Sequence, residues 1–123
     1  MFKKGLTMLM LLISAAAVAQ TGSDPLTGKW KDEAGERVIE FVRKGDVFDA
    51  VIRKAKNASL VGKIQISGLK KKKENTYSDG TLYIIAQGKT ASCSAKIKSP
   101  DELQLTGKMG LFSKTQKWTR VQE

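Results

Sequence analysis

Apolar and polar residues alternate one by one along much of this chain, and this period of two constrains the fold more than any other feature. Residues 46–54 (DVFDAVIRK) place Phe48, Ala50 and Ile52 on one side, with charged residues among those on the other. Residues 90–98 (TASCSAKIK) repeat the pattern, with small and apolar side chains opposite serine, threonine and lysine. Such alternation is typical of antiparallel strands that have one buried face and one solvated face.

Short turn signals separate these alternating runs. Each contains a glycine, proline or aspartate, residues that suit a reversal of the chain; they lie at residues 33–36, 44–46, 78–80, 87–89 and 99–101. An apolar stripe at the helical spacing of 3.6 is missing, and only residues 53–59 leave room for a short helix. The pattern therefore predicts an all-β domain of about eight antiparallel strands, either a closed barrel or a β-sandwich.

The amino terminus has the features of an export signal. Residues 1–4 (MFKK) form a short positively charged start, residues 6–19 are almost entirely apolar, and the stretch ends on Ala17-Val18-Ala19, the small-x-small pattern of a signal-peptidase site. A membrane-spanning helix needs about 20 apolar residues, so this stretch is too short for an anchor. We expect residues 1–19 to be a cleaved signal peptide. Residues 20–123 would then form one soluble domain, either periplasmic or extracellular.

The charge balance is strongly basic. The chain has 22 lysines and arginines against 12 acidic residues, and losing Lys3 and Lys4 with the signal peptide would lower the formal charge from +10 to +8. Such an excess favours attraction to anionic surfaces. Nucleic acid is not an expected partner, because the chain carries an export signal and has no basic segment interleaved with aromatic residues for base stacking.

Two composition features exclude most catalytic and metal chemistry. The chain has no histidine, which removes Ser-His-Asp and Cys-His constellations and the usual zinc ligand sets. A single cysteine, Cys93, excludes an internal disulfide and a cysteine cluster. An enzyme would need a carboxylate pair or an activated lysine, and no pair stands out. We therefore predict no catalytic residue, metal or cofactor. Cys93 is either a core residue or a thiol able to link two chains.

A run of four lysines, Lys70, Lys71, Lys72 and Lys73, interrupts the alternation. One interpretation is a solvated loop or an edge strand that the lysines protect from unwanted pairing. The other is a docking patch for anionic lipid headgroups or cell-wall polymers. Both interpretations stay open at this stage.

The two ends of the chain resemble a known family. Residues 26–30 (LTGKW) contain an early Gly-x-Trp, and residues 107–121 (GKMGLFSKTQKWTRV) contain G-x-x-G-x-F followed by T-x-x-W-T-R-V. Together with a glycine-containing middle segment at residues 57–69, this set resembles the bacterial exported family called domain of unknown function 2147 (DUF2147). The resemblance covers nearly all of residues 20–123. It implies a small lipocalin-like barrel, whose first strand carries the Gly-x-Trp.

The resemblance also implies a structural latch. In lipocalin-type barrels an arginine from the end of the chain packs over the early tryptophan. Here the matching residues are Arg120 and Trp30, with Trp118 expected nearby.

An eight-stranded barrel has an interior that is either filled by side chains or able to hold one small ligand. The resemblance and the inward-facing Phe41, Phe48 and Ile52 favour a protein that binds an apolar or amphipathic small molecule, with these three residues as candidate ligand contacts. The alternative is a structural or interaction protein of the cell envelope that docks on anionic polymer or lipid through its basic face. A void of a few hundred Å³ would favour the first function.

Overall fold

Eight antiparallel strands form one sheet that closes on itself in the computed structural model, which describes residues 24–122. The strands are β1 (Gly28–Lys31), β2 (Val38–Lys44), β3 (Val47–Lys54), β4 (Ile64–Lys73), β5 (Thr76–Ile84), β6 (Lys89–Ser99), β7 (Glu102–Met109) and β8 (Phe112–Arg120). Each strand pairs with the next, and β8 pairs with β1. The prediction of an all-β barrel of about eight strands is confirmed, and the sandwich alternative is wrong.

The alternation of the sequence places the core inside the barrel. On β3, Phe48, Ala50 and Ile52 are buried, and on β6 the inward positions include Cys93 and Ala95. Full burial of a Phe or Ile side chain contributes about 1.5–3 kcal/mol, so a few such positions decide which face of each strand turns inward.

The up-and-down order of the strands gives the barrel two distinct ends. The connections β1–β2, β3–β4, β5–β6 and β7–β8 lie at one end, which we call the open end. The other three hairpin connections lie at the opposite end, which we call the closed end. The segment 24–27 crosses the closed end, and its Leu26 side chain is completely buried. This segment is the plug of the barrel.

The first strand is much shorter than the last. β1 has four residues and pairs with β8 only at Trp30–Arg120 and Lys31–Thr119, whereas β7 pairs with β8 along its whole length. Within the part of the chain that the structure describes, no strand covers the free edge of β8 from Phe112 to Trp118. The wall is therefore sealed near the closed end and interrupted near the open end.

One predicted turn is wrong. Ser78 and Gly80 lie inside β5, where the chain bulges and Asp79 takes a left-handed φ of 65°. The reversal occurs instead at Glu74-Asn75, where Asn75 has φ 61°, a conformation that asparagine tolerates better than most residues. The lysine run consequently forms the second half of β4.

Within residues 24–122, helical structure is limited to short 3₁₀ turns. One runs over Ala58–Leu60 and overlaps the end of the segment predicted to have room for a short helix, residues 53–59, and the other runs over Ile85–Gln87. Among residues 24–122, no helix is long and apolar enough to cross a membrane. The predicted signal peptide lies outside the described residues.

Candidate functional site

A cavity of about 870 Å³ opens at the open end of the barrel. Its inner wall is apolar and comprises Ile66, Leu82, Ala91, Cys93, Leu105 and Trp118. Its rim is formed by the β1–β2 loop, Leu60 of the first 3₁₀ turn, residues 84–87, and the β7–β8 hairpin. The cavity thus extends from solvent into the barrel interior.

Small side chains and a short strand create this space. The wall positions Ala91, Cys93 and Gly107 carry little or no side chain, and a Cβ built on Gly107 would lie 3.0 Å from Leu82 Cδ2. The free edge of β8 adds to the space. It is free because β1 has only four residues, and a longer β1 would have paired with that edge. Chain geometry and side-chain size together leave this part of the barrel unfilled.

The residues predicted to contact a ligand lie elsewhere in the interior. Phe41, Phe48 and Ile52 are fully buried, but none of them lines the cavity. Phe48 packs edge-on against Tyr77, with ring centroids 5.6 Å apart and an interplanar angle of 87°. These three side chains fill the barrel beside β2 and β3. The sequence identifies them as interior positions, and the structure assigns the cavity wall to residues of β4 to β8 instead.

Arg37 is the principal cationic group of the cavity wall. The backbone around it is fixed by Asp32, whose Oδ1 accepts hydrogen bonds from the N–H groups of Glu36 (2.9 Å) and Arg37 (3.1 Å). The Arg37 guanidinium donates from Nη1 to Gln65 Oε1, and Gln65 Nε2 donates to the carbonyl oxygen of Tyr83 at 2.8 Å. The guanidinium is therefore held at the cavity by a neutral amide.

Two buried donor atoms on cavity-lining residues have no hydrogen-bond partner among residues 24–122. They are Arg37 Nε and Trp118 Nε1, and both atoms are buried. The two acidic residues of the rim are engaged elsewhere, since Asp32 caps the loop and Glu36 pairs with Lys56 at 3.8 Å. Buried donors without partners are uncommon in folded proteins. The cavity wall thus carries a positive charge without a carboxylate partner in the described chain.

Cys93 is part of the cavity wall and is 3% exposed. Burial raises the pKa of its thiol to about 11, from an ordinary value of 9.0. Because the thiolate is the reactive form, this cysteine is a poor nucleophile near neutral pH. Cys93 therefore serves as an apolar residue of the cavity wall.

At the closed end, Arg120 lies over the indole of Trp30. The guanidinium carbon is 4.2 Å from the ring centroid, within the range of a cation–π contact. The same guanidinium donates hydrogen bonds to the carbonyl oxygens of Pro100 (2.8 Å), Thr27 (3.1 Å) and Pro25 (2.6 Å). Arg120 therefore ties β8 and the β6–β7 turn to the plug.

The Gly-x-Trp motif has a direct physical explanation in this contact. Trp30 is fully buried, and its Nε1 donates to the Leu26 carbonyl oxygen at 2.9 Å. Gly28 has φ +115°, and a Cβ at this position would lie 3.1 Å from Nη1 of Arg120. The glycine supplies both the backbone conformation and the space for the guanidinium. Trp118, predicted near the pair, lies two residues before Arg120 on β8 and also lines the cavity.

A buried carboxylate completes the closed end. Asp24 accepts hydrogen bonds from the Leu26 N–H (3.0 Å), the Tyr77 hydroxyl and Lys71 Nζ (2.8 Å). Burial by itself raises the pKa of Asp24, but hydrogen bonds from Lys71, Tyr77 and Leu26 outweigh it and hold the pKa below its ordinary value. Burial, followed by the neighbouring Asp24 carboxylate, raises the pKa of Tyr77. Sequence reasoning missed this cluster because its members are about half a chain apart.

The lysine run at the end of β4 is partly engaged within the protein. Lys71 binds Asp24, and Lys72 pairs with Asp79 at 2.7 Å. Lys70 and Lys73 are exposed and form no ion pair with the residues that the structure describes. The run lies at the closed end, away from the cavity mouth. Its role as an anionic docking patch stays a prediction.

Comparisons with known proteins agree with this architecture. Protein HP1028 from the human pathogen Helicobacter pylori, described as belonging to the lipocalin family, is similar in structure with a TM-score of 0.66 and 21% sequence identity. The match covers 80% of this chain and 84% of that one, and at this identity it establishes the fold alone. No curated protein matches the chain. A family model described as an uncharacterised protein conserved in bacteria matches residues 28–120. The chain therefore belongs to the DUF2147 family, as its terminal motifs predicted.

Proposed function

We propose that this protein binds a small amphipathic molecule in the open-end cavity, with an anionic head group at Arg37 and an apolar body against the inner wall. The observation that carries the proposal is the Arg37 guanidinium, which lies in the wall of an apolar cavity without a carboxylate partner among the described residues. A carboxylate or a similar anion in the cavity would pair with this guanidinium through charge-assisted hydrogen bonds.

The dimensions of the cavity support this class of ligand. Pockets for small molecules usually measure about 300–1,000 Å³ and combine an apolar lining with a few polar groups that fix orientation. The cavity has about 870 Å³ and follows this pattern, with Arg37 at the rim and Ile66, Leu105 and Trp118 deeper inside. An anionic amphiphile matches both the apolar lining and the positive charge, whereas a fully apolar ligand would leave the guanidinium without an opposite charge.

The proposed setting is the bacterial envelope or the exterior of the cell. Its support is the amino-terminal sequence, where a basic start, a short apolar stretch and Ala17-Val18-Ala19 form an export signal. Intact-mass measurement of protein recovered from its host should give a chain that begins at Gln20. A chain that retains Met1 would contradict export by this signal.

Binding can be tested with a fluorescent polyene fatty acid and its uncharged methyl ester as probes. The wild-type protein should bind the acid more tightly than the ester. Ala91→Phe, which fills the cavity, should weaken binding of both probes. Arg37→Gln should remove only the preference for the acid, by about 10- to 100-fold, because a hydrogen bond to a charged group contributes about 1.5–3 kcal/mol.

A matched control is Arg53→Gln. Arg53 is a half-exposed arginine whose Nε donates to Glu40 at 2.8 Å, and it does not line the cavity. This variant should leave both affinities unchanged. Unaltered binding in Ala91→Phe would refute the cavity as the site, while an unaltered acid preference in Arg37→Gln would refute the head-group assignment alone. Native mass spectrometry of protein purified from its own host would identify the bound molecule.

A further inference from the structure

Exposed apolar side chains are concentrated at one end of the barrel. Among residues 24–122, the large apolar side chains that are exposed are Leu111 (101%), Phe112 (82%), Val61 (48%) and Met109 (38%). Val61 lies in the β3–β4 connection and the other three lie in the β7–β8 hairpin, so all of them are at the open end. A scattered distribution would need no explanation, but a distribution confined to one end indicates a contact surface.

The β7–β8 hairpin presents its apolar residues as a protruding tip. Met109 pairs with Phe112, and the two turn residues between them are Gly110 and Leu111. Gly110 has φ +60°, and glycine at the first turn position is typical of a tight type II′ hairpin turn. Turn positions usually carry small or polar residues. Here the tip carries a fully exposed leucine beside a largely exposed phenylalanine.

Lysines flank this tip and lie in other connections at the same end. Lys108 and Lys114 flank the hairpin, Lys63 lies two residues from Val61, and Lys89 begins β6 beside the β5–β6 connection. All four are exposed, and none forms an ion pair within the described chain. The surface thus combines protruding apolar side chains with unpaired positive charge. This combination is typical of proteins that rest on an anionic membrane surface.

We propose that the open end docks on an anionic phospholipid bilayer, with Leu111 and Phe112 inserted below the headgroups and the surrounding lysines at the phosphates. A second copy of the chain fits this surface poorly. A stable protein interface buries about 800 Å² on each partner, and a narrow tip flanked by like charges offers neither the area nor the complementarity. A bilayer accepts individual side chains and supplies the opposite charge.

This docking orients the cavity toward the lipid. Met109, Phe112 and Lys114 belong both to the docking surface and to the cavity lining, so the cavity mouth would face the bilayer. Docking itself does not depend on the ligand proposed above. It requires only the hairpin and its charges.

The test is co-sedimentation of the protein with vesicles made of phosphatidylcholine and phosphatidylglycerol, and with vesicles of phosphatidylcholine alone. The wild-type protein should bind the anionic vesicles, and binding should weaken as salt is raised, because salt screens exposed charges. The double variant Leu111→Ser/Phe112→Ser should lower the partition coefficient at least about tenfold through loss of apolar insertion. Lys108→Gln/Lys114→Gln should lower it by about fivefold per lysine.

The matched control is the charge pair at the opposite end, Lys70→Gln/Lys73→Gln, which should have little effect. All variants have the same amino-terminal residues, so a difference in vesicle binding between two variants is due to the changed residues alone. A Phe112→Trp variant gives direct evidence of insertion, because its emission should shift to shorter wavelength and be quenched by lipids brominated on their acyl chains.

Three results would overturn the proposal. The first is that Leu111→Ser/Phe112→Ser binds the anionic vesicles as well as wild type, while Lys70→Gln/Lys73→Gln no longer binds them. This would place docking at the lysine run. The second is no quenching of Trp at position 112 in the presence of bound vesicles. The third is a concentration-dependent dimer in light scattering that Leu111→Ser/Phe112→Ser dissolves, which would identify a second copy as the occupant.

Discussion

The contact between Arg120 and Trp30 can be tested with the substitution Arg120→Lys. Lysine keeps the positive charge but lacks the planar group that stacks on the indole and reaches three carbonyl oxygens at once. The stacking contributes about 0.5–2 kcal/mol. The carbonyl contacts contribute near the low end of the about 1.5–3 kcal/mol range for charged hydrogen bonds, because two of the three are solvent-exposed. One of them can be retained by the lysine.

We therefore expect Arg120→Lys to lower the free energy of unfolding by about 2 kcal/mol. Urea denaturation followed by tryptophan fluorescence gives this value directly. The melting temperature should fall by about 10 °C, since about 1 kcal/mol corresponds to about 4–8 °C in a domain of this size. Arg53→Lys is the matched control on the outer wall, where an exposed ion pair contributes about 1 kcal/mol or less.

A double-mutant cycle separates the two contributions. In a Trp30→Leu background the stacking is already lost, so Arg120→Lys should cost about 1 kcal/mol less than in the wild-type protein. The remaining cost reports the carbonyl contacts. If Arg120→Lys were neutral, or if its cost were the same in both backgrounds, the proposed latch would be refuted.

Three further predictions concern titratable and buried groups. The pKa of Asp24 is held below its ordinary 3.8, so the ionised carboxylate stabilises the fold above that pH. This stabilisation is lost as the pH falls through the folded-state pKa. The free energy of unfolding, measured as a function of pH, should show this loss in the wild-type protein and not in Asp24→Asn. The pKa of Tyr77 is raised above its ordinary 10.0, so its protonated hydroxyl contributes fully to stability below that pH, and this contribution is lost as the pH rises. The urea midpoint of the wild-type protein should therefore fall between about pH 9 and about pH 11, and this fall should be smaller in Tyr77→Phe. Cys93, with its pKa raised from 9.0 to about 11, should be alkylated near pH 8 at least about 100-fold more slowly in folded than in unfolded protein, and equal rates would place it on the surface.

The strand pattern was predictable because it depends on local alternation. Polar residues next to side chains such as Phe48 and Ile52 indicate that these side chains are buried, and this is enough to predict an all-β domain, while closure into a barrel came from the family resemblance. The turn near Ser78 was misplaced because Asp and Gly suit a bulge as well as a reversal, whereas Asn75 carried the correct signal. The cavity was not predictable residue by residue. Its position depends on the length of β1 relative to β8 and on which barrel wall carries small side chains.

The Arg37 environment and the Asp24 cluster show a second limit of sequence reasoning. Arg37 contacts Gln65 across 28 positions, and Asp24 contacts Tyr77 across 53 positions. Nothing in the local pattern around either residue indicates its partner. The terminal motifs did lead to Trp30 and Arg120, because the resemblance supplied the long-range pairing that periodicity lacks.

The seam between β1 and β8 has a consequence for the order of folding. The hydrogen bond from Arg120 to Pro25 joins residues 95 positions apart, and the strands at the seam share only two paired positions. Contacts so distant in the chain form only after the intervening strands have shortened the loop that must be closed. The hairpins can assemble from local contacts, but the plug cannot be secured until the end of the chain that carries Arg120 has joined the barrel. A chain that ends before this arginine could form most of the sheet, but the plug would not be held to the end of β8.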